Sequence, residues 1–134
     1  MNLLSRRTLL KSAVAAAAIP WWQPISASGQ EKILLDTDIG SDIDDAVALA
    51  YLLSEPRCEL LGVTTVTGAA YKRTALTKYL VEAAGKNIPV VTGYENPLVI
   101  EQRQGEAPQA SKLSSVPEAL AGDPGDAVEF LREN

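Results

Sequence analysis

Five aspartates fall within ten residues: Asp36, Asp38, Asp42, Asp44 and Asp45, in the stretch DTDIGSDIDD. Carboxylates this dense repel one another, so gathering them without a cation is costly. A cluster of this kind can hold a hard divalent ion and accept a proton from water. The chain contains no histidine, which removes the commonest acid/base at neutral pH and the commonest transition-metal ligand. Oxygen-only ligation suits Ca²⁺ or Mg²⁺ rather than zinc or copper. A single aspartate after a strand is ordinarily a turn or cap residue, and only the density of five argues otherwise. An EF-hand does not fit. Counting from Asp36, the fifth and twelfth places are Gly40 and Val47, where oxygen ligands are required.

The elements around the cluster are legible. Ile33-Leu34-Leu35 is a short apolar run ending in Asp36, as in a buried parallel strand. Asp44 to Ser54 carries Ala46, Val47, Leu49, Ala50, Leu52 and Leu53 at helical spacing. Ser41 and Asp42 are candidate N-caps, and Ser41 with Asp44 fits a capping box. Pro56 stops this helix. Leu60 to Val66 reads as a second strand, Arg73 to Ala84 as a second helix closed by Gly85, and Ile88 to Val91 as a third strand. From Glu101 to Gly125 no period is visible, which predicts a long loop or surface insertion. Asp126 to Asn134 is a final helix. The order predicts an α/β fold: an open, mostly parallel, Rossmann-like sheet with flanking helices and right-handed crossovers. In such sheets ligands bind beyond the carboxyl ends of the strands. Asp36 and Asp38 stand there, and Asp44 and Asp45 enter a helix N-terminus that favours negative charge.

The 134 residues carry a net charge of −5, one cysteine and 46% hydrophobic residues. The acidic balance argues against nucleic-acid binding. Cys58 has no intrachain partner and reads as a small, buried or half-buried residue. Residues 1–29 read as an export signal: Arg6-Arg7, a mild apolar run from Ser12 to Ile19, and small residues near Ala27. The paired arginines resemble a twin-arginine signal, with Leu9 where Phe is usual. The apolar run is short of the ~20 residues a spanning helix needs. Trp21 and Trp22 suit a membrane interface. The expectation is periplasmic or extracellular delivery by an export machinery, followed by an α/β domain over residues 30–134. With only three strands in view, the sheet reads as the front part of a larger, truncated domain.

Ile33 to Ala50, ILLDTDIGSDIDDAVALA, resembles the signature of the inosine/uridine-preferring nucleoside hydrolases. LLGVTTVTG (Leu60 to Gly68) and IPVVTGYENPL (Ile88 to Leu98) are similar to that family's second and third strands and their loops, so the likeness covers about half the chain. It implies a calcium-dependent N-ribohydrolase of nucleoside salvage, a small-molecule nucleoside as substrate, and a homo-oligomer at full length. By position, Asp38 matches the residue that binds calcium and takes a proton from the attacking water. Asp45 matches a bidentate calcium ligand, Asp44 the carboxylate that holds the ribose hydroxyls, and Asp36 a supporting residue. Ile39 replaces the family's usual Pro, and Asp42-Ile43 lengthen the segment, which leaves Asp42 as an alternative ligand. Ala69 stands where the family often has Asn.

Breaking a sugar–base bond builds positive charge on the ribose, which surrounding carboxylates stabilise. No residue offers itself as proton donor to the departing base, so weak or absent turnover is expected of this chain alone. Two alternatives stand beside this reading. A Mg²⁺-dependent phosphatase of the haloacid-dehalogenase type also opens with a strand and Asp-x-Asp, but Ile39 occupies its usual Gly place. A non-catalytic exported binder of calcium or ribosides is the other. Tyr71, Lys72 and Arg73 read as a solvated helix start, with contact to substrate as the alternative, and Thr64, Thr65 and Thr67 as ordinary residues of a strand and its end with Thr67 nearest the site.

Overall fold

A computed structural model describes residues 29–115 and 124–134. Residues 1–28, with Arg6-Arg7 and both tryptophans, lie outside the described residues, as do 116–123 of the expected long loop. No helix among the described residues is long and apolar enough to cross a membrane.

Three strands, β1 (Glu31–Thr37), β2 (Cys58–Thr65) and β3 (Val90–Thr92), form a parallel sheet in the order β1-β2-β3. The crossovers are helices α1 (Asp44–Ser54) and α2 (Ala70–Ala83), and α3 (Pro124–Glu133) follows. This is the α/β architecture that the sequence predicts. β2 is central and buried from Gly62 to Thr65, and its β-branched residues fill a pleat covered on both faces. Alternation along β2 assigns its neighbours. Val63, fully buried, packs with Ile39, Leu49 of α1 and Leu76 of α2. Gly62 points the other way, where an added Cβ would come within 2.2 Å of the Phe130 ring of α3. The apolar core therefore lies between the sheet and the two crossover helices, and α3 lies on the opposite face.

Several boundaries differ from expectation for local reasons. β3 starts at Val90 because Pro89 has no N–H to donate, although its carbonyl accepts the Val63 amide at 2.9 Å. α2 starts three residues early, out of a turn in which Thr67 (φ 68°) and Ala69 (φ 56°) both adopt left-handed backbone. The loop after β3 contains a 3-10 helix, Pro108–Lys112, and Ala110 from it is buried. The expected serine cap of α1 is not made. Its N-cap is Ile43, with no side-chain hydrogen bond, because Ser41 bonds to groups distant in sequence. The wide apolar face expected of α1 is also only partly used. Leu49 is buried, whereas Val47 and Tyr51 are exposed.

Candidate functional site

The first loop is fixed by a threonine. Buried Thr37 ends β1, and its Oγ1 donates to Asp45 Oδ1 at 2.5 Å while accepting the Ile39 amide at 3.1 Å. The hydroxyl thereby ties the first turn of α1 to the end of β1. Gly40 makes the turn between them at φ 118°, a conformation that side chains resist, with Ala107 Cβ 3.1 Å from the place a Cβ would take. The result brings the Asp38 and Asp45 carboxyls near enough for their charges to interact. Burial, then the charge of Asp45, raises the Asp38 pKa above its ordinary value, and Arg73 opposes them.

The other three aspartates stand apart from this pair. Asp36 is exposed on the sheet face away from the core and accepts from Thr64 Oγ1 at 2.6 Å, its partner directly across the strands. Asp42 and Asp44 are exposed, and Asp42 offers its main-chain oxygen to Gln109 Nε2 at 2.9 Å. Among the described residues no group of three His, Cys, Asp or Glu side chains is placed to hold a metal. Strand alternation accounts for part of this: Asp36 and Thr37 must face opposite sides, and it is Thr37 that looks toward α1.

The residue most misjudged from sequence is Arg73, expected on a solvated helix start and found fully buried. Its Nε donates to Gly68 O at 2.9 Å. Nη1 donates to the main-chain oxygen of Asp38, to Ile39 O at 3.1 Å and to Ser41 Oγ at 3.0 Å. Nη2 donates to Gln104 O at 2.9 Å and Glu106 O at 3.0 Å. Burial lowers its pKa from the ordinary value, and Asp38 and Asp45 pull it back up. No local pattern marks this position, because five of the acceptors are main-chain carbonyls from three separate loops. The loops meet closely: a Cβ on Gly68 would sit 2.4 Å from Gly105 Cα. Tyr71 and Lys72 remain partly exposed, as expected. Beneath the site, Thr74 Oγ1 lies 2.7 Å from both Thr65 Oγ1 and Thr92 Oγ1, a buried hydroxyl chain joining β2, α2 and β3.

Asp38 opens onto a cleft of about 460 Å³ beyond the carboxyl ends of the strands. Thr67, Tyr94, Pro97, Ile100 and Gln102 contribute to its walls. Gln102 braces the rim, donating to Glu95 O at 2.7 Å and accepting the Gln104 amide at 2.9 Å. Asp38 and the apolar side chains of Tyr94, Pro97 and Ile100 in one cleft suit a ligand with a polyol part and a flat apolar part.

The family described as inosine-uridine preferring nucleoside hydrolase matches residues 33–133, about three quarters of the chain. The chain is 40% identical over 67 residues to "Probable uridine nucleosidase 2" of Arabidopsis thaliana, covering 48% of this chain and 20% of that protein. It is 42% identical over 71 residues to an inosine-uridine preferring nucleoside hydrolase of Leishmania major, and 39% identical over 72 residues to one of Crithidia fasciculata. These matches cover 51% and 52% of this chain and 22% of each relative. The chain thus spans about a fifth of the length of the curated relatives it matches.

Proposed function

The chain belongs to the inosine-uridine preferring nucleoside hydrolase family, and from that premise we propose that it carries the acid pair of a calcium-dependent N-ribohydrolase acting on ribonucleosides. The observation that supports this most is Asp38, which lines the strand-end cleft and interacts with the neighbouring Asp45. Two neighbouring carboxyls, their charge only partly offset by Arg73, supply part of the oxygen-only donor set that a hard cation takes. Asp38 and Asp45 would hold Ca²⁺, with Asp42 and Asp36 in reserve or supporting places. When bound, the ion lowers the pKa of water and neutralises the pair.

The chemistry assigned to the side chains follows from their positions. Asp38 faces the cleft and takes the proton of the attacking water at its carboxylate. Asp45, anchored by the Thr37 hydroxyl, ties the start of α1 to the end of β1. Asp44, exposed in the same helical turn, holds the ribose hydroxyls. Negative charge on this side of the sugar stabilises the positive ring of the transition state. The apolar rim near Tyr94 and Ile100 takes the base. We further propose that residues 1–29 deliver the protein across a membrane by a twin-arginine route, on the strength of Arg6-Arg7, and that the whole enzyme is a homo-oligomer. The phosphatase alternative is set aside by the family match.

Calorimetric titration with Ca²⁺ tests the central claim, with release of free base from inosine and uridine measured alongside. Uptake by the natural chain and none by Asp38→Asn is the expected result. Equal heats from the two proteins, or no uptake by either, overturn the calcium reading.

A further inference from the structure

We propose that Arg73 is the positioning residue of the acid pair: its buried guanidinium joins the loops after β1, β2 and β3 into one seat, and the cation affinity of Asp38 and Asp45 depends on that seat. A guanidinium has five N–H donors in a planar fork. Here they serve six acceptors drawn from residues 38–41, residue 68 and residues 104–106. Five of the six are main-chain carbonyls, so the fork fixes where the backbone runs rather than how one side chain turns. None is a carboxylate. A buried arginine ordinarily pairs with an acid. Arg73 lies close enough to Asp38 and Asp45 to feel their charge, yet it donates to carbonyls and the Ser41 hydroxyl and to neither carboxylate. Lysine keeps the charge but not the fork, so Arg73→Lys separates the two contributions.

The cation part of this inference rests on the calcium reading above, whereas the joining of the loops does not. The experiment is native-state amide exchange on the full chain and on Arg73→Lys, with Ca²⁺ calorimetry on both. The loop reporters are the amides of Ile39, Thr67 and Gln109, bonded to Thr37 Oγ1, Tyr94 O and Gly40 O. The core reporter is the Val63 amide, bonded to Pro89 O. In Arg73→Lys, protection of the three loop amides falls together while Val63 keeps its own. Ca²⁺ affinity drops roughly 10- to 100-fold, the effect usual for groups that orient metal ligands. Loss at Val63 as large as in the loops reduces Arg73 to a general stabiliser and overturns the proposal. So do unchanged loop protection and unchanged Ca²⁺ affinity in a variant whose loops have loosened. If Arg73→Lys does not fold, the natural chain decides: one shared opening free energy for the three loop amides supports the seat, and three unrelated ones overturn it. If the natural chain takes up no Ca²⁺ while the variant's loops loosen selectively, the calcium reading falls and the seat stands.

Discussion

The two ends of the sheet treat their acids in opposite ways. At the amino end, Glu55 turns back onto Arg57, receiving its Nε at 2.8 Å and its main-chain amide at 3.0 Å. Those hydrogen bonds hold the Glu55 pKa down at about 2. At the carboxyl end, Asp38 faces Asp45 and its pKa moves up. Glu55 is spent on its own neighbour and has nothing left to offer. Asp38 and Asp45 interact as like charges, and the nearby arginine donates to carbonyls and the Ser41 hydroxyl rather than to either carboxylate. An acid that the fold leaves uncompensated is the one available to a ligand, and this difference, rather than acid content, separates a turn from a site.

The largest effect that would sharpen this contrast is on ligand uptake. Asp38→Asn and Asp45→Asn should each weaken Ca²⁺ binding by more than the roughly 10- to 100-fold expected for orienting groups, whereas Glu55→Gln should leave it unchanged. Calorimetry on the three variants reads this directly. Without Ca²⁺, Asp38→Asn should unfold at no lower denaturant than the natural chain, since it removes an ionisation that burial and Asp45 oppose. A large loss of stability there would show that the pair is structural.

The next effects are on stability. Thr37→Val removes the hydroxyl that holds Asp45 and should cost about 1.5–3 kcal/mol, as for hydrogen bonds to charged groups. Gly68→Ala forces a Cβ against the Gly105 backbone and should cost about 1–3 kcal/mol. Ala69→Asn acts in the opposite direction. A left-handed Ala carries roughly 1–2 kcal/mol of strain that Asn tolerates better, so a gain of up to about 1 kcal/mol is expected. Urea unfolding measures all three.

The pH dependence should differ in sign between the two ends. The raised Asp38 pKa gives stability that is full below its ordinary value of 3.8 and lost as pH rises through the raised value. The lowered Glu55 pKa gives stability present above 4.5 and lost as pH falls through about 2. Asp38→Asn should therefore abolish the loss on raising pH, and Glu55→Gln the loss on lowering it. The Glu55 effect is the smallest of the series, because an exposed pair is screened by solvent. Unfolding midpoints across pH 2–6 would show both limbs, and matching slopes in the two variants would break the contrast.

Much of this was open to a reader of the sequence. Ile33-Leu34-Leu35 followed by acids and then an apolar period of 3.6 fixes a strand, a turn and a helix by local preference alone. Gly85 after α2 and Pro56 after α1 end their helices by backbone chemistry that needs no partner. Thr67, two residues beyond β2, lines the cleft, as strand order predicts. Ser41 was misassigned, because a serine before a helix caps it unless something distant claims the hydroxyl. Here Arg73 and Glu106 do. Arg73 itself was misread because its burial depends on carbonyls about thirty residues away on either side, which no window of sequence displays.

The sequence by itself determined the ligand chemistry: with no histidine and five neighbouring aspartates, any cation held at this loop must accept oxygen. Only the tertiary structure decided which aspartates meet. A strand reverses direction at every residue and a helix at every second, so five acids across their junction point several ways. The phase between the two periods is set by the Gly40 turn, the Thr37 hydroxyl and the loops gathered on Arg73.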